Sequence, residues 1–132
     1  MKKIFLLILI FTLFSFIIKI PNYIELNNLV IVEGIGLECN NDKYTLYLKE
    51  IIPIKGDNGV TYKYKYYENE AENIDDANKN IINDYSNKKF FYEDTKYVIT
   101  NCKTSNEITD YFRIKPKYIK HVDNNILVAL KK

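Results

Sequence analysis

Residues 25–38 read E-L-N-N-L-V-I-V-E-G-I-G-L-E, and the rest of the chain is best understood outward from this segment. Its main part, Leu29 to Leu37, is nearly continuous in apolar residues and rich in β-branched side chains. Such a run predicts a strand that is buried on both faces. Gly34 and Gly36 within it are typical of a bulge or of close packing against a neighbouring element. A phosphate-binding loop is the alternative, but the segment lacks the third glycine and precedes a predicted hairpin rather than a helix.

Two further strands are predicted immediately downstream. Asn40-Asn41-Asp42 supplies a turn, and Lys43 to Ile52 then alternates apolar and polar side chains as a half-buried strand does, until Pro53 stops it. We expect these first two strands to pair as a hairpin. After a second turn at Gly56 to Gly59, Val60 to Tyr67 has the pattern of a third strand.

The second half of the chain alternates helical and strand patterns. Asn73-Ile74-Asp75-Asp76 resembles a capping box, and it predicts a helix that runs to about Ser86. The later elements are predicted to be a strand over Thr95–Thr100, a short helix over Glu107–Arg113 ended by Pro116, and a last strand over Asn125–Leu130. The predicted fold class is α+β, with the order β-β-β-α-β-α-β, a mixed sheet and two helices packed on it.

An apolar leader precedes this domain. Met1-Lys2-Lys3 places positive charge before Ile4 to Ile18, a run in which only Thr12 and Ser15 are polar. This asymmetry is typical of a secretory signal or a signal-anchor. No small residues of a cleavage site follow the run, so residues 1–20 are predicted to be an uncleaved transmembrane anchor with the rest of the chain outside. A cleaved signal and a buried core helix are the alternatives.

The net positive charge of the chain comes from this leader. Without Lys2, Lys3 and Lys19, sixteen basic residues face seventeen acidic ones, which leaves residues 21–132 with a net charge of −1. A near-neutral domain with interspersed charges carries no electrostatic signature of nucleic-acid binding. The length of this part predicts a single domain, and the orientation of the leader is expected to place it on the extracytoplasmic side.

Cys39 and Cys102 both fall in the part predicted to be exported, where a disulfide persists. Each follows an apolar strand-like run, so the two sulfurs would lie at the same edge if those strands are parallel neighbours. Two isolated thiols are the alternative, because the Cα separation decides whether a bond forms. No Cys-His spacing indicates a metal site.

Several segments together resemble the N-terminal domain of the Ger(x)C spore germination proteins, the membrane-attached C subunits of germinant receptors. Residues 25–37 are similar to the family's E-I-N-x-L-A-I-V-x-G-I-G-I-D. The other similar segments, in the family's order, are Lys43–Leu46, Asn73–Ala77, Lys96–Ile99, Asp110–Arg113 and Ile126–Ala129. The resemblance implies a role in spore germination, partners like the receptor A and B subunits, and a location at the spore inner membrane.

The chain departs from the family pattern before and after this domain. Family members carry a lipobox cysteine ahead of the first strand, where this chain has Ile20-Pro21-Asn22. The apolar leader is therefore expected to be the anchor itself. The sequence also ends where family members continue into further domains, which suggests a solitary first domain.

The remaining chemistry-bearing residues predict no catalytic, cofactor or metal site. His121 is the only histidine and has no nucleophile motif near it. The acidic residues from Glu68 to Asp76 are interpreted as a solvated helix start rather than as metal ligands. Tyr62, Tyr64 and Tyr66 share one strand face, which either packs against the helices or forms an exposed interaction face.

The function predicted from these observations is that of a membrane-anchored, non-enzymatic interaction domain of a germinant receptor. An extracytoplasmic ligand- or cell-wall-binding module that uses the tyrosine face is the alternative. A small hydrolase is a third, much weaker one.

Overall fold

The computed structural model describes residues 1–17, 28–103 and 106–132. The helices are α1 (Lys2–Ile17), α2 (Ile74–Asp84), α3 (Asn106–Phe112) and α4 (Ile126–Lys131). The strands are β1 (Leu29–Asn40), β2 (Lys43–Gly56), β3 (Gly59–Ala71), β4 (Lys89–Phe91), β5 (Tyr97–Thr100) and β6 (Tyr118–His121). The predicted boundary between leader and domain at residue 20, and residues 25–27 of the opening motif, lie outside the described residues.

The strands form one mixed sheet in the order β3-β2-β1-β5-β6, with β4 also pairing with β1. β1 is antiparallel to β2 and parallel to both β4 and β5, which follow each other along its second side. Strand β6 continues the sheet in parallel to β5. The predicted mixed sheet and its leading hairpin are thus confirmed, and β1 lies in the interior of the sheet.

The two hairpin turns use residues that tolerate a left-handed backbone. Asn41 has a φ of 52° in the turn between β1 and β2, and Gly59 has a φ of 113° between β2 and β3. The prediction that Pro53 stops the second strand is wrong, since β2 continues to Gly56 and Pro53 pairs with Tyr62. Pro53 lies beyond the β2 residues that pair with β1. The N–H that proline lacks is therefore not needed in the described pairing of these two strands.

Helix α2 begins where its capping pattern predicts. The Asn73 side chain accepts a hydrogen bond from the Asp76 backbone N–H at 2.7 Å and donates one to the Asp76 carboxylate at 3.0 Å. Ile74, Ala77 and Ile81 form the buried side of the helix. The helix ends at Asp84, two residues before the predicted end.

Each face of the sheet has its own core. Helices α2 and α3 cover one face, which is filled by aliphatic side chains of the central strands such as Val32, Leu37, Leu48 and Val98. The opposite face carries a smaller core, which consists of Tyr47 and Ile99 from the sheet and Ile126 and Leu130 from α4. We call these the covered face and the open face.

The predicted element order needs three corrections. The last segment is the helix α4 and not a strand, because Ile126 and Leu130, one helical turn apart, both become buried on the open face. A short apolar run does not by itself distinguish the two structures. The strands β4 and β6 were not predicted. Strand β6 has only four residues, all of them exposed, which is too few to show a clear alternation of apolar and polar side chains.

The transmembrane helix predicted over residues 1–20 is not found, because none of the helices in the described part of the chain combines the length and the apolarity that a membrane crossing needs. Helix α1 has 16 residues and ends at Ile17.

Candidate interaction site

A β-bulge in β1 creates the polar centre of the open face. The register with β2 shifts between Val32 and Gly34. Val32 and Ile35 both belong to the core of the covered face, so the two residues between them, Glu33 and Gly34, lie toward the open face. A bulge of this kind re-aims a side chain without ending the strand. It brings the Glu33 carboxylate close to Lys49 of β2.

The two glycines of β1 allow neighbouring groups to approach the backbone. A Cβ at Gly34 would lie 2.5 Å from the ring of Tyr97, and a Cβ at Gly36 would lie 2.8 Å from Ile126 of α4. Any side chain at these positions would push the ring or the helix away from the strand. A bulge and close packing therefore account for the Gly34-Ile35-Gly36 pattern, as expected from its place in a buried strand.

Lys49 is a buried cation on the open face. Its side chain is only 7% exposed. The ammonium donates a hydrogen bond to the Tyr97 hydroxyl at 2.7 Å and lies 3.6 Å from the Glu33 carboxylate. It also lies 4.4 Å from the centre of the Tyr64 ring, within the range of a cation–π contact. A charge this buried is tolerated only when such partners offset its lost hydration.

Positive charge exceeds negative charge around this centre. The Glu33 carboxylate is shared between Lys49 and Lys96, whose ammonium lies 3.7 Å away. A cleft of about 390 Å³ opens beside Glu33 and Lys49, and Lys120 and Lys132 are also among its lining residues. The arrangement suits an anionic or hydrogen-bond-accepting group better than a cation.

Tyr97 connects three elements through its hydroxyl. This group accepts the hydrogen bond from Lys49 and donates one to the Leu130 carbonyl of α4 at 3.5 Å. Burial, and secondarily the nearby Glu33 carboxylate, raises the pKa of Tyr97 above its ordinary value. The hydroxyl therefore keeps its proton at neutral pH, as the bond to Leu130 requires. The ring stacks on Tyr118 of β6 at 5.4 Å, with an angle of 11° between the planes.

The three tyrosines predicted as an interaction face lie on the open face, away from α2 and α3. Tyr62 and Tyr64 are 55% and 46% exposed. Tyr66 is partly buried against the α4 core, and the Lys131 ammonium lies 5.4 Å from its ring. Of the three, Tyr64 lines the cleft.

No site role was predicted for Glu33, Lys49, Tyr97 or Tyr118. A signal for the first two was present, because each is a charged residue inside a strand pattern that predicts burial. Lys49 lies in the predicted half-buried strand and Glu33 beside Gly34. No local signal exists for Tyr97 and Tyr118, which reach the cleft only through the parallel pairing of β5 and β6.

The two cysteines lie at the other end of β1. Leu37 pairs with Thr100 of β5, and each cysteine follows its strand partner by two residues. Cys39 and Cys102 are bonded to each other, with their Cα atoms 5.3 Å apart. Asn101 also accepts a hydrogen bond from the Cys39 backbone N–H at 2.6 Å. The strands that precede the two cysteines, β1 and β5, are thus parallel neighbours, as the predicted disulfide required.

The acidic residues around the start of α2 form surface pairs. Asp75 lies 2.8 Å from the Lys79 ammonium and accepts a hydrogen bond from Tyr111, and Glu70 lies 3.3 Å from Lys43. These partners are solvent-exposed, so each pair contributes little to stability. Within residues 1–17, 28–103 and 106–132, no three histidine, cysteine or acidic side chains are arranged to hold a metal ion.

Comparison with known proteins identifies the domain. The family model described as the spore germination protein N-terminal domain matches residues 22–117. The chain belongs to this family. The predicted resemblance to the germinant-receptor C subunits is therefore confirmed. No curated protein and no solved structure matches the chain.

Some residues of the site lie within the region that matches the family model, and others lie beyond it. Glu33, Lys49, Tyr64 and Tyr97 of this germination-protein domain lie within the matched residues. Tyr118 and Lys120 follow the end of the match, as does the whole of α4. The segment Ile126–Ala129, compared above with the closing strand of the family, is likewise beyond it and is helical.

Proposed function

We propose that this protein is a membrane-anchored, non-enzymatic interaction domain that acts in spore germination as a C-subunit-like component of a germinant receptor. The family membership supports the role in germination. The interaction role depends chiefly on one observation, the open face, where the exposed rings of Tyr64 and Tyr118 line a cleft beside a buried lysine and Tyr62 is exposed on the same strand face as Tyr64. Exposed aromatic residues next to a positively charged pocket are typical of protein interfaces.

The anchoring role is supported by the leader. Apart from Lys2, Lys3, Thr12 and Ser15, helix α1 consists of apolar residues, and its large apolar side chains are solvent-exposed from Ile4 to Phe14. Exposure of this much apolar surface to water is unfavourable, whereas a lipid environment accommodates it. An anchor would confine the domain beside its partners and raise their effective concentration, so a weak interface would suffice.

The disulfide supports a location on the outer side of the membrane. Disulfides persist in extracytoplasmic compartments and are rare where cytosolic reductants are present. A domain on the outer face of the spore inner membrane would meet this condition. We propose that its partners there resemble the receptor A and B subunits.

Affinity purification of the tagged full chain from membranes of sporulating cells tests this function. The wild-type chain is expected to recover receptor A and B subunits, and a Tyr64→Ala/Tyr118→Ala double variant to lose them. Tyr111→Ala removes a tyrosine that is 37% exposed on α3 and provides a matched control that should retain them. Failure of the wild-type chain to recover any receptor subunit would contradict the proposal.

The anchor has a separate test. Sequencing of the mature N-terminus is expected to find the leader intact, and alkaline carbonate is expected to leave the chain in the membrane pellet. A mature N-terminus near Pro21 would instead identify the leader as a cleaved signal.

The second candidate is an extracytoplasmic ligand- or cell-wall-binding module. The exposed rings of Tyr62 and Tyr64 favour it, because sugars stack on aromatic faces. Retention of the wild-type chain on purified peptidoglycan without receptor subunits, and its loss in a Tyr62→Ala/Tyr64→Ala double variant, would support this candidate over the first.

A further inference from the structure

Strand β6 offers a free edge next to the cleft. Among the described strands it pairs only with β5, through residues Tyr118 to His121. The backbone N–H groups of Lys117 and Val122, on either side of the strand, point inward to carbonyls of the β5 segment at 2.8 and 3.0 Å. The outward groups of an edge strand remain available to an additional strand. All four residues of β6 are exposed, and no described strand pairs with its outer edge.

The same edge carries concentrated positive charge. From Arg113 to His121 the chain contains four basic residues and no acidic one, although residues 21–132 as a whole are close to neutral. These basic residues, all exposed, are Arg113, Lys115, Lys117 and Lys120. Lys115 and Lys117 line a neighbouring cleft together with Glu93 and Asp94, whereas Lys120 lines the cleft of the open face. Lys96 and Lys49 extend the positive region toward the centre of the sheet, where their two ammonium groups share the Glu33 carboxylate. A partner that meets this edge is favoured if it is acidic.

Side-chain direction connects the edge to the cleft. Residues alternate between the two faces of a strand, and Tyr118 and Lys120 both line the cleft on the open face. A strand added beside β6 would direct every second side chain to the same face. A carboxylate at such a position would lie over Tyr118 and beside Lys120, with the Lys49 ammonium on the cleft wall.

From this geometry we propose that β6 is the docking edge for an extended acidic segment of a partner protein, which adds to the sheet as a further strand and places carboxylate side chains in the Lys49–Lys120 cleft. This proposal rests on the interaction function proposed above and specifies the chemistry of the partner. Anionic lipid headgroups would neutralise the lysines as well, but they would leave the outward backbone groups without a matched ladder. A peptide satisfies both the charge and the backbone.

Peptide binding to the full chain in nanodiscs of neutral phosphatidylcholine tests the proposal. The probe is a fluorescent peptide of alternating glutamate and valine, and its anisotropy is measured during a titration. A lysine–valine peptide of equal length and the glutamate–valine peptide with N-methylated backbone amides are the matched controls. We expect the first peptide to bind, and both controls to bind at least about tenfold more weakly, because the one has the wrong charge and the other cannot form the ladder.

Two charge reversals locate the site. Lys120→Glu is expected to weaken binding of the glutamate–valine peptide by about tenfold or more. Lys63→Glu changes the net charge equally at an exposed position of β3 and should leave binding unchanged. Because both lysines are exposed, neither variant is expected to disturb folding.

Three results would overturn the proposal. Equal binding of the N-methylated peptide would show attraction by charge without strand addition. Equal losses in Lys63→Glu and Lys120→Glu would place the peptide elsewhere. Blocking of the peptide by phosphatidylglycerol in the nanodiscs, in the wild-type chain but not in Lys120→Glu, would identify the lipid as the occupant.

The purification from sporulating cells separates this proposal from the one on which it rests. Recovery of receptor subunits by both the wild-type chain and Lys120→Glu would retain the receptor function and reject the β6 edge. Binding of the peptide without recovery of receptor subunits would support the β6 edge and reject the receptor function.

Discussion

The covered and open faces of the sheet are built from the same strands by different chemistry. The covered face buries aliphatic side chains under α2 and α3. The open face is covered in part by the short helix α4 and carries a buried Lys49–Glu33 pair beside exposed tyrosines. The bulge at Glu33 separates the two roles, because it holds Val32 and Ile35 in one core while it turns a carboxylate to the other side. Stability is thus expected to depend on the covered face and recognition on the open one.

The largest effect is expected from the disulfide at the end of the covered face. Cys39→Ser/Cys102→Ser removes a bridge between residues separated by 63 positions. Without the bridge, a loop of this size is no longer closed in the unfolded chain, and the entropy of the unfolded state rises. The free energy of unfolding should therefore fall by about 4 kcal/mol. Urea denaturation of the full chain in a neutral detergent measures it, with the reduced wild-type chain as the control. An unchanged denaturation midpoint in both samples would contradict the prediction.

A matched truncation on each face tests the comparison directly. Leu48 is fully buried on the covered face, whereas Tyr64 is 46% exposed on the open face. Leu48→Ala should cost about 3 kcal/mol of unfolding free energy through lost burial and the cavity left behind. Tyr64→Ala should cost only about 1 kcal/mol, because the ring is exposed and water can replace part of the cation–π contact that Lys49 loses. Similar costs in the same denaturation assay would mean that the open face is as important for stability as the covered one.

The bulge region should respond to a single methyl group. Gly34→Ala places a Cβ against the ring of Tyr97, which is held between Lys49 and Tyr118. We expect a loss of about 2 kcal/mol from overpacking. Gly56→Ala is the matched control, because the nearest atom to its Cβ is 3.7 Å away, an ordinary contact distance. Unfolding free energies that are equally affected in both variants would contradict close packing as the reason for Gly34.

The smallest effect concerns alkaline pH. Burial, and then the hydrogen bond to Glu38, raises the pKa of Tyr47 on the open face to about 12. The unfolded chain loses this proton near pH 10, so the folded state binds more protons above that pH and becomes less stable as the pH rises through about 12. The stabilising contribution is fully present below pH 10.

Tyr47→Phe should therefore flatten the decline of unfolding free energy between about pH 10 and pH 12. Tyr67→Phe is the counterpart on the covered face, where burial and a hydrogen bond to Glu50 at 2.7 Å also raise the pKa of the hydroxyl. Chemical denaturation at a series of pH values measures both. If neither substitution changes the slope of unfolding free energy against pH, these tyrosines are not the cause of alkaline destabilisation.

The predictable parts of the fold are those with local signals. The capping asparagine at residue 73, the turn at Asn41 and the alternation in β2 each depend on a few neighbouring residues. The edge strand β6 and the helix α4 were missed, because four exposed residues and one short apolar run are ambiguous without their neighbours. The candidate site was predicted only in part, through the tyrosines of β3.

Residue order alone was enough to establish the family, the leading hairpin and the mixed sheet, because these depend on apolar periodicity and turn chemistry along the chain. The pairing of Lys49 with Glu33 and the stacking of Tyr97 on Tyr118 depended on which strands became neighbours and on the register that the bulge shifts by one residue. Strand pairing joins residues that are distant in sequence, so its consequences appear only when the sheet is assembled.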